Sequence, residues 1–581
     1  MLPMQAQTTY PQKQFDIVGA GIRPSNYMAA RGDSLGQAVY TIRERGIMPF
    51  AQQCVSQQKA QPTAPVTTPY YNVRMALPIP ACYTPTETGE KVGLDWGVYT
   101  HMHSAGMEVL PNGDVLAIYF STPIGKAEAD TCTTFVQCRR RYGSDEWDMP
   151  ELLFTTRGGN DQSALLFVDN DTVFFFGGGR DMTDYVPFRM LKSTDNGATW
   201  TFYVPQMDRR LEHYTAQPIS NAFRNKRGEL FVVIDGDGPQ SLLLRSQDGG
   251  IHWHDMGGRT NSRHSTILPL DDNGTLISFA GKNNNVNGWN PQNISHDWGA
   301  TWEPATASPF PPLGTAQRPC AIRLKSGAIC IVGDSYMHKK KIAPPKGWQQ
   351  GNECYVAISR DNGKTWKFKV LPCTLPQHHR LDHPSLGYVT LRQGQDGLIH
   401  ILTTTNYPGL EIEFNEAWID TPAANAQAAT SNSSASQSQA PDNLSALAGS
   451  GYKCLNGTFT DSYQDGTPHH VVTYRDGRRT GIETLYRPDG TKVWEWVRAD
   501  DNTARWTHYR TDGKHDMISR WNLRPEPRDL PGIRLNGAVA DGYTWTYDRS
   551  GMQTEAFRYD NGILDGTLRQ GVNSAIINEG K

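Results

Sequence analysis

One eight-residue pattern occurs four times in this chain, and it constrains the fold more than any other sequence feature. The pattern reads S-x-D-x-G-x-T-W, with histidine in place of threonine in the second copy. The four copies begin at Ser193, Ser246, Ser295 and Ser359, so the starts are 53, 49 and 64 residues apart. Repeats at this spacing are typical of propeller blades and other repeat architectures. The chain is therefore predicted to repeat one supersecondary unit.

The residue types of this octet fit a tight turn. An aspartate can accept hydrogen bonds from backbone N–H groups of its own turn. The glycine supplies the positive φ that the turn needs, and the tryptophan ring can pack under the turn between neighbouring units. The octet is therefore predicted to stabilise turns and to take no direct part in chemistry.

A second repeat predicts the number of units. Six polar clusters each precede an apolar stretch, and most of these stretches are followed by an Asn/Asp-Gly type of turn. The clusters begin at His101, Asn160, Thr215, Asn261, Gln317 and Asp382. Six starts over about 330 residues predict a six-bladed β-propeller, with four strands in each blade around a central axis.

The composition along the chain divides it into four segments. Residues 1–90 are predicted to form an N-terminal extension, and residues 91–420 the propeller. Residues 421–450 are almost entirely Ala, Ser, Asn, Gln and Thr, which is typical of a flexible linker. Residues 451–581 repeat a tyrosine followed by a glycine turn, from Tyr474 to Gly562, which indicates a ladder of hairpins. The predicted fold class is all-β, a propeller plus a small C-terminal β-repeat domain.

Charge and hydropathy exclude several classes of protein. The formal net charge is −3, which argues against a nucleic-acid partner. No run of about 18 apolar residues is present, so no membrane span is predicted. The nine cysteines include no CxxC pair, and we predict neither a metal site nor a cofactor. The N-terminus lacks the features of a signal peptide. The protein is therefore expected in the cytoplasm, or in the periplasm or outside the cell if a signal peptide has been removed.

The six strand starts should converge on one mouth of the central channel, which makes their polar side chains candidates for a site. Arginine can form fork-shaped clamps on a carboxylate or sulfate, and histidine can carry protons near neutral pH. The candidate substrate-binding residues are Arg263, Arg318, Asp161, Gln217 and His383. The candidate proton carriers include His103 and His264, which we count as catalytic.

Two further candidates come from loops and from the last blade. Asp130, with Glu128 as the alternative, lies in a loop that could overhang the mouth and protonate a leaving group. A tyrosine paired with a glutamate can act as a nucleophile. Tyr388 and Glu416 are the candidates for this pair. The other tyrosine and glutamates near the end of the propeller are Tyr407, Glu411 and Glu413, and spacing alone does not choose among them.

The octets and strand starts together resemble those of the sialidase superfamily over about residues 92–420, where the octet is called the Asp box. The resemblance implies three arginines on a sugar carboxylate, an aspartate acid/base and a Tyr/Glu nucleophile pair. Carried over by position, Arg263 and Arg318 correspond to two of the arginines and Asp130 to the acid/base. The family's Phe/Tyr-Arg-Ile-Pro signature is missing, and the stretch from Val73 to Pro78 resembles it only loosely around Arg74. The C-terminal segment resembles MORN-variant or antitoxin-type β repeats, which implies an accessory role.

These observations predict a carbohydrate-active enzyme, an exo-acting glycosidase of anionic glycans that contain sialic acid or uronate. The strand starts are richer in histidine than a typical sialidase site. A polysaccharide lyase, in which arginine neutralises a uronate and His or Tyr abstracts the C5 proton, therefore remains an alternative. A non-catalytic glycan-binding propeller is the third possibility. The expected partner is an anionic oligosaccharide or polysaccharide, and the C-terminal repeats are expected to bind a protein or glycan, if they bind a partner.

Overall fold

The computed structural model describes most residues between 51 and 577, together with two short strands before them. The described residues are 17–18, 46–47, 51–60, 65–76, 101–122, 133–156, 159–180, 182–337, 342–348, 354–371, 385–404, 409–422, 447, 452–463, 465–524, 537–560, 563–564, 566–570 and 573–577. No helix in these ranges is long and apolar enough to cross a membrane.

The strands of the propeller follow one another in chain order, after four short N-terminal strands. The N-terminal strands are β1 (Ile17–Val18), β2 (Gly46–Ile47), β3 (Ala51–Gln52) and β4 (Tyr71–Met75). Blade one has β5 (His101–Val109), β6 (Val115–Thr122), β7 (Thr134–Arg140) and β8 (Glu151–Thr156). Blade two has β9 (Gln162–Asp169), β10 (Thr172–Gly178), β11 (Arg189–Ser193) and β12 (Thr201–Tyr203). Blade three has β13 (Gln206–Met207), β14 (Tyr214–Arg224), β15 (Leu230–Gly236), β16 (Ser241–Ser246) and β17 (His252–Asp255).

The second half of the chain continues in the same way. Blade four has β18 (Thr266–Pro269), β19 (Leu276–Phe279), β20 (Pro291–Ser295) and β21 (Thr306–Ala307). Blade five has β22 (Cys320–Arg323), β23 (Ile329–Gly333), β24 (Tyr355–Ser359) and β25 (Lys367–Val370). Blade six has β26 (Thr390–Gln393), β27 (Ile399–Leu402) and β28 (Leu410–Phe414), followed by the helix α1 (Glu416–Asp420). The C-terminal strands are β29 (Gly457–Tyr463), β30 (Pro468–Arg475), β31 (Arg478–Tyr486), β32 (Lys492–Arg498), β33 (Thr503–Tyr509), β34 (His515–Asn522), β35 (Val539–Tyr547), β36 (Gln553–Asp560), β37 (Ile563–Leu564), β38 (Gly566–Gln570) and β39 (Asn573–Ile577).

Each blade is an antiparallel meander whose first long strand lies innermost. The innermost strands are β5, β9, β14, β18, β22 and β26, and they contact their counterparts in neighbouring blades. Within the described residues these meanders form six sheets, and a seventh sheet contains the C-terminal strands. The predicted six-bladed propeller and the C-terminal β-repeat sheet are confirmed.

The N-terminal strands complete sheets that are formed mainly by later residues. Strand β4 pairs antiparallel with β28, and this pairing supplies the fourth strand of blade six. Strands β1 and β2 are the outermost strands of blades two and one, and β3 pairs with β29. Because β4 comes before blade one in the chain, its pairing with the last blade ties the two ends of the propeller together. These strands lie in the segment that the sequence analysis assigned to an N-terminal extension.

The hydrophobic core of the propeller lies between adjacent blades. Six clusters of buried apolar side chains fill the six gaps, and each contains residues of two neighbouring blades. Near the axis, the buried Arg392 donates to the carbonyl oxygens of Leu166 at 3.1 Å and Ser220 at 3.4 Å, and it pairs with Glu108. One side chain of blade six therefore connects the innermost strands of blades one, two and three.

The octets form the turns that their sequence predicts. In the third copy, Asp297 Oδ1 accepts the backbone N–H of Thr301 at 2.8 Å, and Ser295 Oγ accepts that of Gly299 at 2.8 Å. The same bonds recur in the other three copies, and the glycine between them has a φ of +75° to +97° in every copy. The ring of Trp253 lies 6.1 Å from that of Phe176 in the preceding blade. The octet therefore joins a turn to the neighbouring blade.

We expect Asp297→Ala to lower the free energy of unfolding by about 1–2 kcal/mol, because it removes a side chain that caps several N–H groups. Burial alone would raise the pKa of Asp297, but its hydrogen bonds from Thr301 and Ser295 outweigh burial and lower it. The stabilisation should therefore be present above about pH 4 and be lost as the pH falls further. Urea unfolding measures the change, with the exposed Asp272→Ala as the control. Equal midpoints for the two variants at neutral pH would contradict this role.

The C-terminal sheet packs against blade one, which has no octet between its third and fourth strands. The backbone N–H of Leu455 donates to Gly143 O at 2.9 Å, and that of Asp145 donates to Gly477 O at 2.8 Å. The guanidinium of Arg498 binds the carboxylate of Glu146. The loop 141–149 thus replaces an octet turn with contacts to the second sheet.

Candidate functional site

Tyr388 is the centre of a polar cluster at the mouth of the propeller. It lies two residues before the innermost strand of blade six, and its side chain is buried. Its hydroxyl accepts from Lys282 Nζ at 2.5 Å and lies 3.1 Å from His264 Nε2. The His103 ring is 4.3 Å from the tyrosine ring, and Arg318 Cζ is 5.4 Å from the centre of that ring. Blades one, four, five and six therefore contribute to one cluster.

Backbone contacts between blades five and six hold this arrangement. Arg318 and Tyr388 form a parallel bridge, in which the backbone N–H of Arg318 donates to Gly387 O at 3.1 Å. The buried Asp334 accepts the backbone N–H of Leu386 at 2.8 Å and the amide of Gln317 at 2.7 Å. Burial raises the pKa of Asp334, although these hydrogen bonds oppose the change. The residues before β22 and β26 are thus fixed to one another.

His264 is oriented by Asp235, which lies at the end of the second strand of blade three. His264 Nδ1 is 2.7 Å from Asp235 Oδ2, and the His264 backbone N–H donates to Oδ1 at 2.8 Å. His264 has a φ of +56°, in the left-handed region that side chains with a Cβ rarely adopt. Strained backbone of this kind is concentrated at functional sites.

Electrostatics make His264 neutral and Asp235 anionic near pH 7. Burial lowers the pKa of His264 to about 4, and the charge of Asp235 offsets only part of this effect. Burial alone would raise the pKa of Asp235, but His264 and Arg263 outweigh burial and hold the pKa below its usual value. The histidine can therefore accept a proton at Nε2 while Nδ1–H faces a carboxylate.

The two arginines of the predicted clamp differ in their partners. Arg263 Nε donates to Asp235 Oδ2 at 3.1 Å, and Arg263 Nη2 donates to Gln217 Oε1 at 2.8 Å. Arg318 is only 2% exposed, and among the described residues it has no ion pair and its Nε and Nη1 have no hydrogen-bond partner. Burial lowers its pKa. A buried guanidinium without a counter-ion is unfavourable by itself and indicates a place for an anion.

Several other candidates from the sequence lie elsewhere or are not described. Asp161 is buried inside blade two, where it accepts the backbone N–H of Thr156 and lies 3.4 Å from Arg189. Glu416 begins the helix α1 and lies 3.8 Å from Arg360, a residue of the fourth octet, so it is at the end of the propeller opposite Tyr388. The candidates outside the described residues are Asp130, Glu128, His383 and Tyr407.

The glutamates of β28 belong to a buried network between blades six and one. Arg140 donates to both oxygens of Glu411, at 2.8 and 2.9 Å, and Arg74 donates to Glu413 at 2.7 Å. His400 lies 3.0 Å from Glu411, so three potential metal ligands are close together here. The two guanidinium groups already neutralise both carboxylates, and the arrangement is that of an ion-pair network. Arg74, the loose match to the sialidase signature, is likewise paired with carboxylates.

Sequence reasoning missed Asp235 and Lys282 because it considered mainly the starts of the innermost strands. Asp235 lies at the end of the second strand of blade three and Lys282 follows the second strand of blade four, at the same end of the propeller as those starts. The second strands of blades three, four and five each run from an apolar stretch into an ionisable residue, as in Phe-Val-Val-Ile-Asp235 and Ile-Val-Gly-Asp334. This polar ending of an apolar run is the signal that could have found them.

Three solved structures that resemble this chain each match a little over half of its length. No curated protein matches the chain. A protein of unknown function from Dyadobacter fermentans is 18% identical, over 54% of this chain and 95% of its own, with a TM-score of 0.41. The Hadza microbial sialidase Hz136 is 14% identical, over 55% and 65% of the two chains, with a TM-score of 0.41. The intramolecular trans-sialidase from Ruminococcus gnavus, in complex with oseltamivir carboxylate, is 12% identical over 56% and 97%, with a TM-score of 0.40.

A family comparison gives the identity of the propeller segment. Residues 113–401 match the family described as a BNR repeat-like domain. This range contains all four octets and runs from the first turn of blade one into the second strand of blade six. The match therefore agrees with the repeats in the sequence and with the blades in the structure. The propeller of this chain is a BNR repeat-like domain.

Proposed function

We propose that the protein is a carbohydrate-active enzyme that cleaves anionic glycans at the cluster around Tyr388, as an exo-acting glycosidase. The observation that carries this proposal is Arg318, a buried guanidinium beside a polar mouth that has no counter-ion in the part of the chain that the structure describes. A carboxylate of a sialic acid or uronate would neutralise the Arg318 guanidinium and accept charge-assisted hydrogen bonds from it, worth about 1.5–3 kcal/mol each. Arg263, which is partly exposed, can supply a second donor once the sugar is in place.

In this proposal Tyr388 is the nucleophile. Its hydroxyl lies among groups that can take its proton and stabilise the charge that remains. A phenolic nucleophile suits an anomeric carbon that bears a carboxylate, because the neutral attacking group avoids the repulsion that a second anion would meet. Asp130 remains the proposed acid that protonates the leaving group.

A polysaccharide lyase is the second candidate, and the two histidines around Tyr388 favour it. His103 and His264 both contact the tyrosine, and a neutral imidazole is suited to abstract the C5 proton of a uronate. Arg318 would then neutralise the uronate carboxylate, and Tyr388 would protonate the leaving oxygen. The same residues serve both reactions, so the products distinguish them.

If Arg318 forms an anion site, the Arg318→Met variant should be more stable than wild type but should bind acidic saccharides more weakly. The variant keeps much of the apolar volume and removes an uncompensated buried charge, so the free energy of unfolding should rise by about 1 kcal/mol or more. Affinity for a uronate oligosaccharide or a sialylated one should fall about ten-fold or more. Arg318→Lys should recover only part of this loss, because an ammonium cannot form the planar fork.

Calorimetric titration and thermal unfolding measure the two effects. The same saccharide with its carboxylates reduced to alcohols is the matched ligand, and it should bind wild type and Arg318→Met equally. Arg360→Ala, at the opposite end of the propeller, is the control variant. Equal affinity of wild type and Arg318→Met for acidic saccharides, or a loss of stability in the variant, would contradict the anion site.

Product analysis decides between the two reactions. A glycosidase releases a saturated sugar with a new reducing end, whereas a lyase releases an unsaturated uronate that absorbs ultraviolet light. Wild-type protein should release a saturated monosaccharide from the non-reducing end of an acidic substrate. An absorbing product that is lost in His103→Ala would replace the glycosidase by the lyase. Binding without turnover of any acidic glycan would instead indicate a glycan-binding propeller.

A further inference from the structure

Tyr388 has partners that extend away from the mouth into blades three and four. Asp235 contacts His264, His264 contacts the Tyr388 hydroxyl, and Lys282 donates to the same oxygen. We propose that Asp235, His264 and Lys282 activate Tyr388, with His264 as its base, Asp235 as the residue that positions the base, and Lys282 as the donor that stabilises the phenolic oxygen. This inference rests on the proposed role of Tyr388 as nucleophile, and it replaces the predicted tyrosine–glutamate pair by a different activating set.

Contacts between Asp235 and His264 favour one orientation of the imidazole ring. Asp235 is fully buried; its Oδ2 lies 2.7 Å from His264 Nδ1, and its Oδ1 accepts the His264 backbone N–H at 2.8 Å. Ser241 and Arg263 also donate to its carboxylate. The backbone of His264 adopts a left-handed conformation in this arrangement. Such a conformation is unfavourable, so surrounding contacts must stabilise it. Nδ1 of the ring therefore faces Asp235, and Nε2 faces the Tyr388 hydroxyl.

The charges around the histidine keep it a base. Burial lowers its pKa to about 4, and Lys282 and Arg318 add to the effect, whereas Asp235 opposes it. Near neutral pH the ring has one proton, which belongs on Nδ1 because that atom faces an anionic carboxylate. The lone pair of Nε2 is then free to accept the hydroxyl proton of Tyr388 at 3.1 Å. Asp235 thus fixes the tautomer that the reaction needs.

Lys282 acts on the oxygen rather than on the proton. Its ammonium donates to Tyr388 Oη at 2.5 Å, and it lies 5.0 Å from the centre of the tyrosine ring. A charged donor at this distance stabilises negative charge that develops on the oxygen as the proton leaves. A hydroxyl can donate one hydrogen bond and accept others. The histidine and the lysine can therefore contact the oxygen at the same time.

The proposed reaction has two steps, and each group that loses or gains a proton in the first step is restored in the second. In the first, the Tyr388 proton passes to His264 Nε2, the phenolic oxygen bonds to the anomeric carbon, and the glycosidic C–O bond breaks. Its electron pair stays with the leaving oxygen, which takes a proton from the acid proposed as Asp130. In the second, water attacks the anomeric carbon and gives a proton to that acid. The tyrosine–carbon bond breaks, and His264 returns the proton to Tyr388.

A spectroscopic test needs no substrate. The ultraviolet band of ionised Tyr388 is isolated as the difference between wild type and Tyr388→Phe during an alkaline titration. We expect this band to appear about 1 pH unit or more lower in wild type than in Lys282→Met, because the ammonium favours the ionised oxygen. Lys364→Met, an exposed change in an octet, is the matched control and should leave the band in place. Equal titrations of wild type and Lys282→Met would overturn the role of Lys282.

A kinetic test addresses the pair that acts on the proton. With an acidic oligosaccharide that wild type cleaves, Asp235→Asn should lower kcat about 100-fold or more and change KM little, because Asn reverses the tautomer of His264. Asp235→Glu should restore part of kcat. Unchanged kcat in Asp235→Asn would overturn the relay. If wild type cleaves no acidic glycan, the proposed function fails, whereas the titration of Tyr388 still decides whether Lys282 acts on its oxygen.

Discussion

Tyr388→Phe is expected to lower the rate of glycan cleavage about 1,000-fold or more while leaving affinity for acidic saccharides within two-fold. The substitution removes only the hydroxyl on which the proposed chemistry depends. The ring contacts with His103 and Arg318 do not involve the hydroxyl, and Arg318 keeps its place for the carboxylate. Rates under saturating substrate and calorimetric titration of a product sugar measure the two quantities.

Tyr119→Phe is the matched control for this experiment. Tyr119 lies on β6, its side chain is fully buried, and its hydroxyl finds no hydrogen-bond partner within the described ranges. The variant should cleave at the wild-type rate. A wild-type rate in Tyr388→Phe would exclude the tyrosine from both the glycosidase and the lyase reaction. A parallel loss of affinity and rate would indicate that the tyrosine only shapes the binding site.

The second large effect concerns stability. Glu411→Ala should lower the free energy of unfolding by about 3 kcal/mol or more, because it removes the carboxylate that binds the buried Arg140 at both oxygens and leaves Arg140 and Arg74 to share Glu413. Glu411 is fully buried and binds Arg140, His400 and the indole N–H of Trp147, the last at 2.9 Å. Glu416→Ala is the control, since its partner Arg360 is 3.8 Å away and half-exposed, and it should cost less than about 1 kcal/mol.

The same network predicts how stability depends on pH. Burial alone would raise the pKa values of Glu411 and Glu413, but the charges of the neighbouring arginines outweigh burial. They hold the pKa of Glu411 far below its usual range and lower the pKa of Glu413 to about 2. A carboxylate whose folded pKa is depressed stabilises the fold above its unfolded pKa of about 4.3. Stability should therefore fall as the pH drops from about 4.5 towards 2. Unfolding at several pH values measures this, and an equally steep fall in Glu411→Ala would contradict it.

The turns and the blades could be predicted from the sequence because their interactions are local. In each octet the aspartate accepts hydrogen bonds from the backbone and the Thr or His side chain four residues later, and the glycine supplies the positive φ. Such contacts repeat wherever the eight residues repeat, whatever surrounds them. The repeated polar clusters also predicted that the strand starts meet at one mouth, and His103, His264 and Arg318 do lie together with Tyr388.

Only the tertiary structure decided which of those polar residues face one another. His264 and Tyr388 are 124 positions apart and meet because blades four and six close on one axis. The same closure makes Arg263 and Arg318 different, since Asp235 neutralises the first and no carboxylate of the described residues pairs with the second. It also places Glu411 and Glu413 in an ion-pair network and Glu416 at the opposite end of the propeller. Hydrogen bonds within a turn depend on neighbouring residues, whereas the pairing of buried charges depends on how distant strands close into a ring.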